Sequence, residues 1–131
     1  MNAFLVDLPN KPGEFARITE AIAARGINIM AISGTTCGST GRVAMTTDND
    51  SETRTVLGDA KIAYTESELA EAAMPNQPGA LAKVARRLAD AGLNIEAIMP
   101  TGMKGNDVTV AFVTDDPTKA RGLLAEASSA R

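Results

Sequence analysis

The stretch PNKPGEFARITEAIAARGINIMAI, residues 9–32, is followed later in the chain by PNQPGALAKVARRLADAGLNIEAI, residues 75–98. Laid over one another without a gap, the two match at 11 of 24 positions. Identities include both prolines and the glycine of P-N-x-P-G, and the Gly-x-Asn-Ile that closes each segment. After one extra residue in the second copy, VAMTTDN (43–49) falls on VAFVTDD (110–116). Two copies of one unit fill the 131 residues. A repeat this long, present twice, indicates paired domains rather than a solenoid. We place them at 1–67 and 68–131.

Each copy carries the same element signals. AFLVDL (3–8) is short and apolar and predicts a strand. The prolines of the next phrase end it, because proline cannot continue a ladder. A helix is expected from about Pro12 to Arg25, with Pro12 in its first turn. Phe15, Ile18 and Ile22, and then Leu81, Val84 and Leu88, recur at helical spacing and predict a buried face. Gly26 and Gly92 stand where a helix-stopping glycine belongs. INIMAIS (27–33) is apolar on both faces, the pattern of a strand covered on both sides. CGSTG (37–41) is turn material, Arg42–Thr47 a returning strand, DNDSETRTVL (48–57) a short helix and KIAYTE (61–66) a fourth strand. The order is β-α-β-β-α-β. The fold class is therefore α+β: two tandem ferredoxin-like units with antiparallel sheets and helices on one face. In the second copy ELAEAAM (68–74) is a weak first strand, and almost no chain is left for a fourth, which is absent, very short or supplied from elsewhere.

Composition removes several function classes. There is no histidine, which takes away the commonest general base and metal ligand. Cys37 is the only cysteine and reads as a free thiol. The net charge of −3 and the four aromatic residues, Phe4, Phe15, Tyr64 and Phe112, argue against a nucleic-acid surface. No apolar run reaches membrane-span length and the start lacks a signal-peptide pattern, so a cytoplasmic protein without membrane partners is expected. Asp48, Asp50, Asp115 and Asp116 precede helices and read as caps before metal ligands. No nucleophile–base pair can be assembled. We expect no catalytic residues, no metal and no cofactor.

The chemistry sits in the repeated phrase. A turn directly before a helix N-terminus leaves backbone N–H groups and the positive dipole end facing outward, which favours a carboxylate or phosphate. Gly13 and Gly79 let a ligand or a neighbouring backbone come close. Asn10 and Asn76 either shape the turn or contact the ligand, and Asn28 and Asn94 either cap chain entry or do the same. Each asparagine pair is expected at the same end of its sheet.

These residues carry a resemblance. Strand, P-x-x-P-G, helix, G-x-N-I, written twice and covering nearly the whole chain, resembles the ACT domain, and most of all stand-alone tandem ACT proteins without an attached catalytic domain. The resemblance implies a regulatory βαββαβ module that binds an amino acid where two such domains pair side by side. The loop and helix start of one domain and the second strand of its neighbour would form the site. In the serine-responsive ACT domain of phosphoglycerate dehydrogenase, the two asparagines that match Asn10 and Asn28 are used. The ligand-binding residues implied are Asn10, Pro12, Gly13, Glu14, Phe15, Asn28 and Ile29 in the first copy. In the second they are Asn76, Pro78, Gly79, Ala80, Leu81, Asn94 and Ile95. Asp7 against Ala73 marks a difference between the copies. The expected partners are a small amino acid and a second copy of the chain in a homodimer. The rival readings are a regulatory subunit docking onto a biosynthetic enzyme such as acetohydroxyacid synthase, and a pairing module without a ligand.

Overall fold

The computed structural model describes the backbone of residues 1–129. The chain divides into two compact units, Met1–Ser67 and Glu68–Arg131.

In the first unit, β1 (Asn2–Pro9), α1 (Glu14–Ala24), β2 (Ile29–Cys37), β3 (Thr40–Thr47), α2 (Asp50–Asp59) and β4 (Tyr64–Glu68) follow in order. The sheet runs β2-β3-β1-β4. β1 and β2 each pair antiparallel with β3. Phe4, Val6 and Met45 face the helices and meet Ile18, Ile22, Val56 and Leu57 in one core. Ile62 and Tyr64 close that core from the far edge, with the Tyr64 ring 5.9 Å from Phe4.

The second unit holds β5 (Ala70–Pro75), α3 (Ala80–Asp90), β6 (Ile95–Lys104), β7 (Asp107–Thr114) and α4 (Pro117–Ser129). Its sheet has three strands, β5-β7-β6. Among the described residues no fourth strand flanks β5, the position β4 takes beside β1. Its core gathers Ala70, Ala72, Met74, Val84, Leu88, Phe112, Ala120 and Leu124. The residue added in the second copy is absorbed as a bulge in β6 between Pro100 and Gly102, where Thr101 donates to the Thr109 carbonyl at 3.3 Å.

Three expectations are corrected. The first helix begins at Glu14, because Gly13 sits at φ 90°, which a helical residue cannot adopt, so Pro12 lies in the turn ahead of it. Phe15 and Leu81 are 48% exposed instead of buried, since they lie on the first turns of α1 and α3, outside the residues gathered in the two cores. Within the chain β2 is not covered on both sides. It is a sheet edge, and Met30 and Ile32 remain 53% and 38% exposed.

The helix ends follow local chemistry. After α1 the Ile27 N–H donates to Ile22 and the Gly26 N–H to Ala23, and Leu93 and Gly92 repeat this after α3. Both glycines are left-handed, at φ 71° and 75°. The same bonds close α2, where Ile62 donates to Leu57 and Lys61 to Gly58, but there the left-handed residue is Lys61, at φ 56°. The Asn49 side chain caps α2 by accepting from the Glu52 N–H, and Asp116 accepts from the Lys119 N–H in α4. Of the four acidic residues expected as caps, Asp116 acts as one. Asp50 accepts from the Asn2 N–H instead. At β4, Glu66 accepts from Arg54 and Asn2, and the Arg54 hydrogen bond holds its carboxyl below the ordinary range.

Candidate functional site

The site is built from the turn upward. In the first unit Gly13 carries the chain into α1 in the left-handed conformation, and its carbonyl accepts from the Arg17 N–H at 2.9 Å. Among the described residues no side chain caps this helix. Gly79 does the same at φ 88° for α3, which is likewise uncapped by a side chain. This contrasts with α2 and α4, whose first turns are satisfied by Asn49 and Asp116. Two helix starts therefore present backbone donors and a positive dipole end outward. Pro12 and Pro78 are exposed in these turns. Glu14 pairs with Arg17 at 3.2 Å, and Ala80 packs against the second core.

Asn10 anchors the turn to the β2–β3 hairpin. Its backbone N–H donates to the Ser39 carbonyl at 2.9 Å and its side-chain amide to the Gly38 carbonyl at 3.1 Å. The Asn76 N–H donates in the same way to the Asn106 carbonyl at 2.9 Å. Asn28 lies elsewhere. Its N–H donates to an Asp48 carboxylate oxygen at 3.0 Å, and its carbonyl accepts from the Asp48 N–H at 3.1 Å. Asn94 and Asp115 repeat that clasp at 3.0 and 3.3 Å. Asp48 and Asp115 thus lock the strand entry and do not cap helices. Ile29 and Ile95 are half-buried against the two cores.

The asparagines of one unit do not meet. Pro9 pairs with Thr40, and Ile29 with Thr47, at opposite ends of the eight-residue β3. At about 3.4 Å per residue that separates them by roughly 24 Å. β1 and β2 both run antiparallel to β3, so the end of one and the start of the other fall at opposite sheet ends. The expectation of a shared end is overturned.

Two cavities border these turns. One of about 560 Å³ in the first unit lies between the start of α1 and β2, with Asn10, Lys11, Phe15, Ile32, Gly34 and Gly41 in its wall. The other, about 510 Å³, lies on the opposite side of α3 in the second unit, along β5, with Met74, Pro75, Pro78, Ala80, Lys83 and Val84 in its wall. Of the sequence-derived residues, the first cavity takes in Asn10 and Phe15, and the second Pro78 and Ala80. Ile32, Gly34 and Gly41 were missed. The signal for the glycines was present in the repeat: aligned through the strand pairing, Gly34 stands over Pro100 and Gly41 over Val108.

The comparisons agree with this architecture. The ACT domain family profile matches residues 3–62 and again 71–126. The chain belongs to the ACT domain family, whose members are non-catalytic regulatory modules. No curated protein matches the sequence. Among solved structures, protein BT0572 from Bacteroides thetaiotaomicron is similar at 25% identity and a TM-score of 0.81, over 96% of this chain and 87% of that one. The ligand-free regulatory subunit of aspartate kinase from Thermus thermophilus is similar at 23% identity and a TM-score of 0.66, over 96% and 91%. Aspartate kinase from Synechocystis matches at 19% identity and a TM-score of 0.66, over 98% of this chain but 25% of that one. Among the described residues no group of acidic and cysteine side chains could hold a metal ion, and no helix is long and apolar enough to cross a membrane.

Proposed function

We propose that the chain is a cytoplasmic regulatory subunit that reports the level of a small amino acid to a separate amino-acid biosynthetic enzyme. The observation that carries the reading is the P-N-x-P-G turn, built twice with the same left-handed glycine, opening an uncapped helix beside an exposed strand edge. The amino acid's carboxylate meets the helix start at Gly13 or Gly79. Asn28 or Asn94 of a partner ACT domain reaches its other end, and a second copy of the chain supplies that domain. Because Asn10 and Asn28 lie at opposite ends of one sheet, the ligand bridges two domains, so ligand binding and domain pairing share one free energy.

Docking to an enzyme is supported by the likeness, over nearly its full length, to a chain described as the regulatory subunit of aspartate kinase. An aspartate kinase or another enzyme of amino-acid biosynthesis is the catalytic partner this favours. A thermal-denaturation series with each protein amino acid tests the ligand. At a hundredfold excess over Kd, one amino acid adds about 2.7 kcal/mol. An unmoved midpoint with every amino acid contradicts the reading. Mixing the chain with a candidate catalytic chain, followed by gel filtration, tests docking, with co-elution expected and separate elution excluding that partner.

A further inference from the structure

The two units are copies, yet they do not present the same site. We propose that the first unit alone receives the amino acid, in the cavity between α1 and β2, and that the matching place in the second unit is filled by its own side chains. This rests on the amino-acid-binding reading given above.

Gly34 and Gly41 lie in the wall of the first cavity. Gly34 lies directly across from Val43, and Gly41 across from Leu8. Leu8 packs on the helix-side core, so the missing side chain at Gly41 is missing from the face that looks toward α1. A Cβ on Gly34 would come within 3.3 Å of a Val43 methyl carbon, and one on Gly41 within 3.4 Å of a Thr36 methyl carbon. Neither glycine has a positive φ. Turn geometry therefore does not require them; they let the Val43 and Thr36 methyl groups, which also line the cavity, lie close to the sheet, and a side chain at either position would push those methyls into it.

In the second unit the same register positions hold side chains. Pro100 lies across from Val110, as Gly34 does from Val43, and Val108 lies across from Met74, as Gly41 does from Leu8. Val108 is packed against the core. The β6 bulge after Pro100 further displaces the strand that would form the wall. The Asp7/Ala73 difference is not the decisive one. Asp7 alternates with Leu8, so its side chain lies on the other face of the sheet, where it pairs with Arg42 at 3.2 Å.

The ligand class follows from the walls. The uncapped start of α1 and the Lys11 ammonium suit a carboxylate, and the exposed apolar surfaces of Phe15 and Ile32 suit a short aliphatic side chain.

Calorimetric titration of the whole chain with each protein amino acid tests the assignment. The expected result is one amino acid bound per chain. Gly41→Val, which copies the second unit, and Gly34→Ala should each weaken that binding about tenfold or more by narrowing the cavity. Thermal unfolding of the free variants verifies that they fold. Two equivalents bound per chain, or undiminished binding in a folded Gly41→Val variant, overturns the assignment alone. Binding of no amino acid overturns it together with the reading on which it rests.

Discussion

Single residues decide the entry and exit of each helix, and their signs can be tested. Gly13 is left-handed at φ 90° with nothing within 4 Å of where a Cβ would stand. The cost of Gly13→Ala is therefore backbone strain alone, about 1–2 kcal/mol. Lys61 presents the opposite case, holding φ 56° where α1 and α3 use glycine. Lys61→Gly relieves that strain and should raise stability by up to about 1 kcal/mol, the gain being reduced by the added freedom of the unfolded chain. Denaturant titration of the two variants should move the midpoint in opposite directions. A shift of the same sign in both would show that these φ values do not control stability.

At the scale of elements, α1 has two apolar roles that the sequence merges into one stripe. Ile22 is fully buried in the core, while Phe15 is 48% exposed on the outer turn. Ile22→Ala should cost about 2–5 kcal/mol. Phe15→Ala should leave thermal stability of the free chain within about 1 kcal/mol and weaken amino-acid binding instead. Equal loss of stability in the two would contradict the split. Helical spacing could not separate these roles, because 15, 18 and 22 share a face and spacing alone does not say how many turns of that face the core reaches. The repeat, the order of elements and the glycine stops were legible because each rests on local chemistry: proline, glycine and alternation. The chain's own elements do not cover the apolar second strand, because burial within a unit depends on position in the sheet, which a strand's own residues do not encode. The asparagine pairs were misplaced for the same reason. Their spacing along the chain was clear, but the antiparallel strand inserted between β1 and β2 sends them to opposite ends. The site glycines were legible only as differences between the copies, at Gly34/Pro100 and Gly41/Val108.

For the whole molecule, duplication has produced two units with different open places. The first has its far edge closed by β4 and a cavity beside β2, and in the second no strand among the described residues flanks β5, along which a cavity lies. In the proposed reading, the first copy takes the signal and the second holds a partner. The central claim is that the amino acid joins ACT domains of two chains across the β2 edge. Sedimentation velocity of the purified chain, with and without the amino acid that stabilises it, tests this most directly. The account predicts a tighter dimer when the ligand is present, with the dissociation constant falling by the coupling factor, about 5–150-fold for ordinary allosteric free energies. A dimer equilibrium indifferent to a ligand that binds would contradict it.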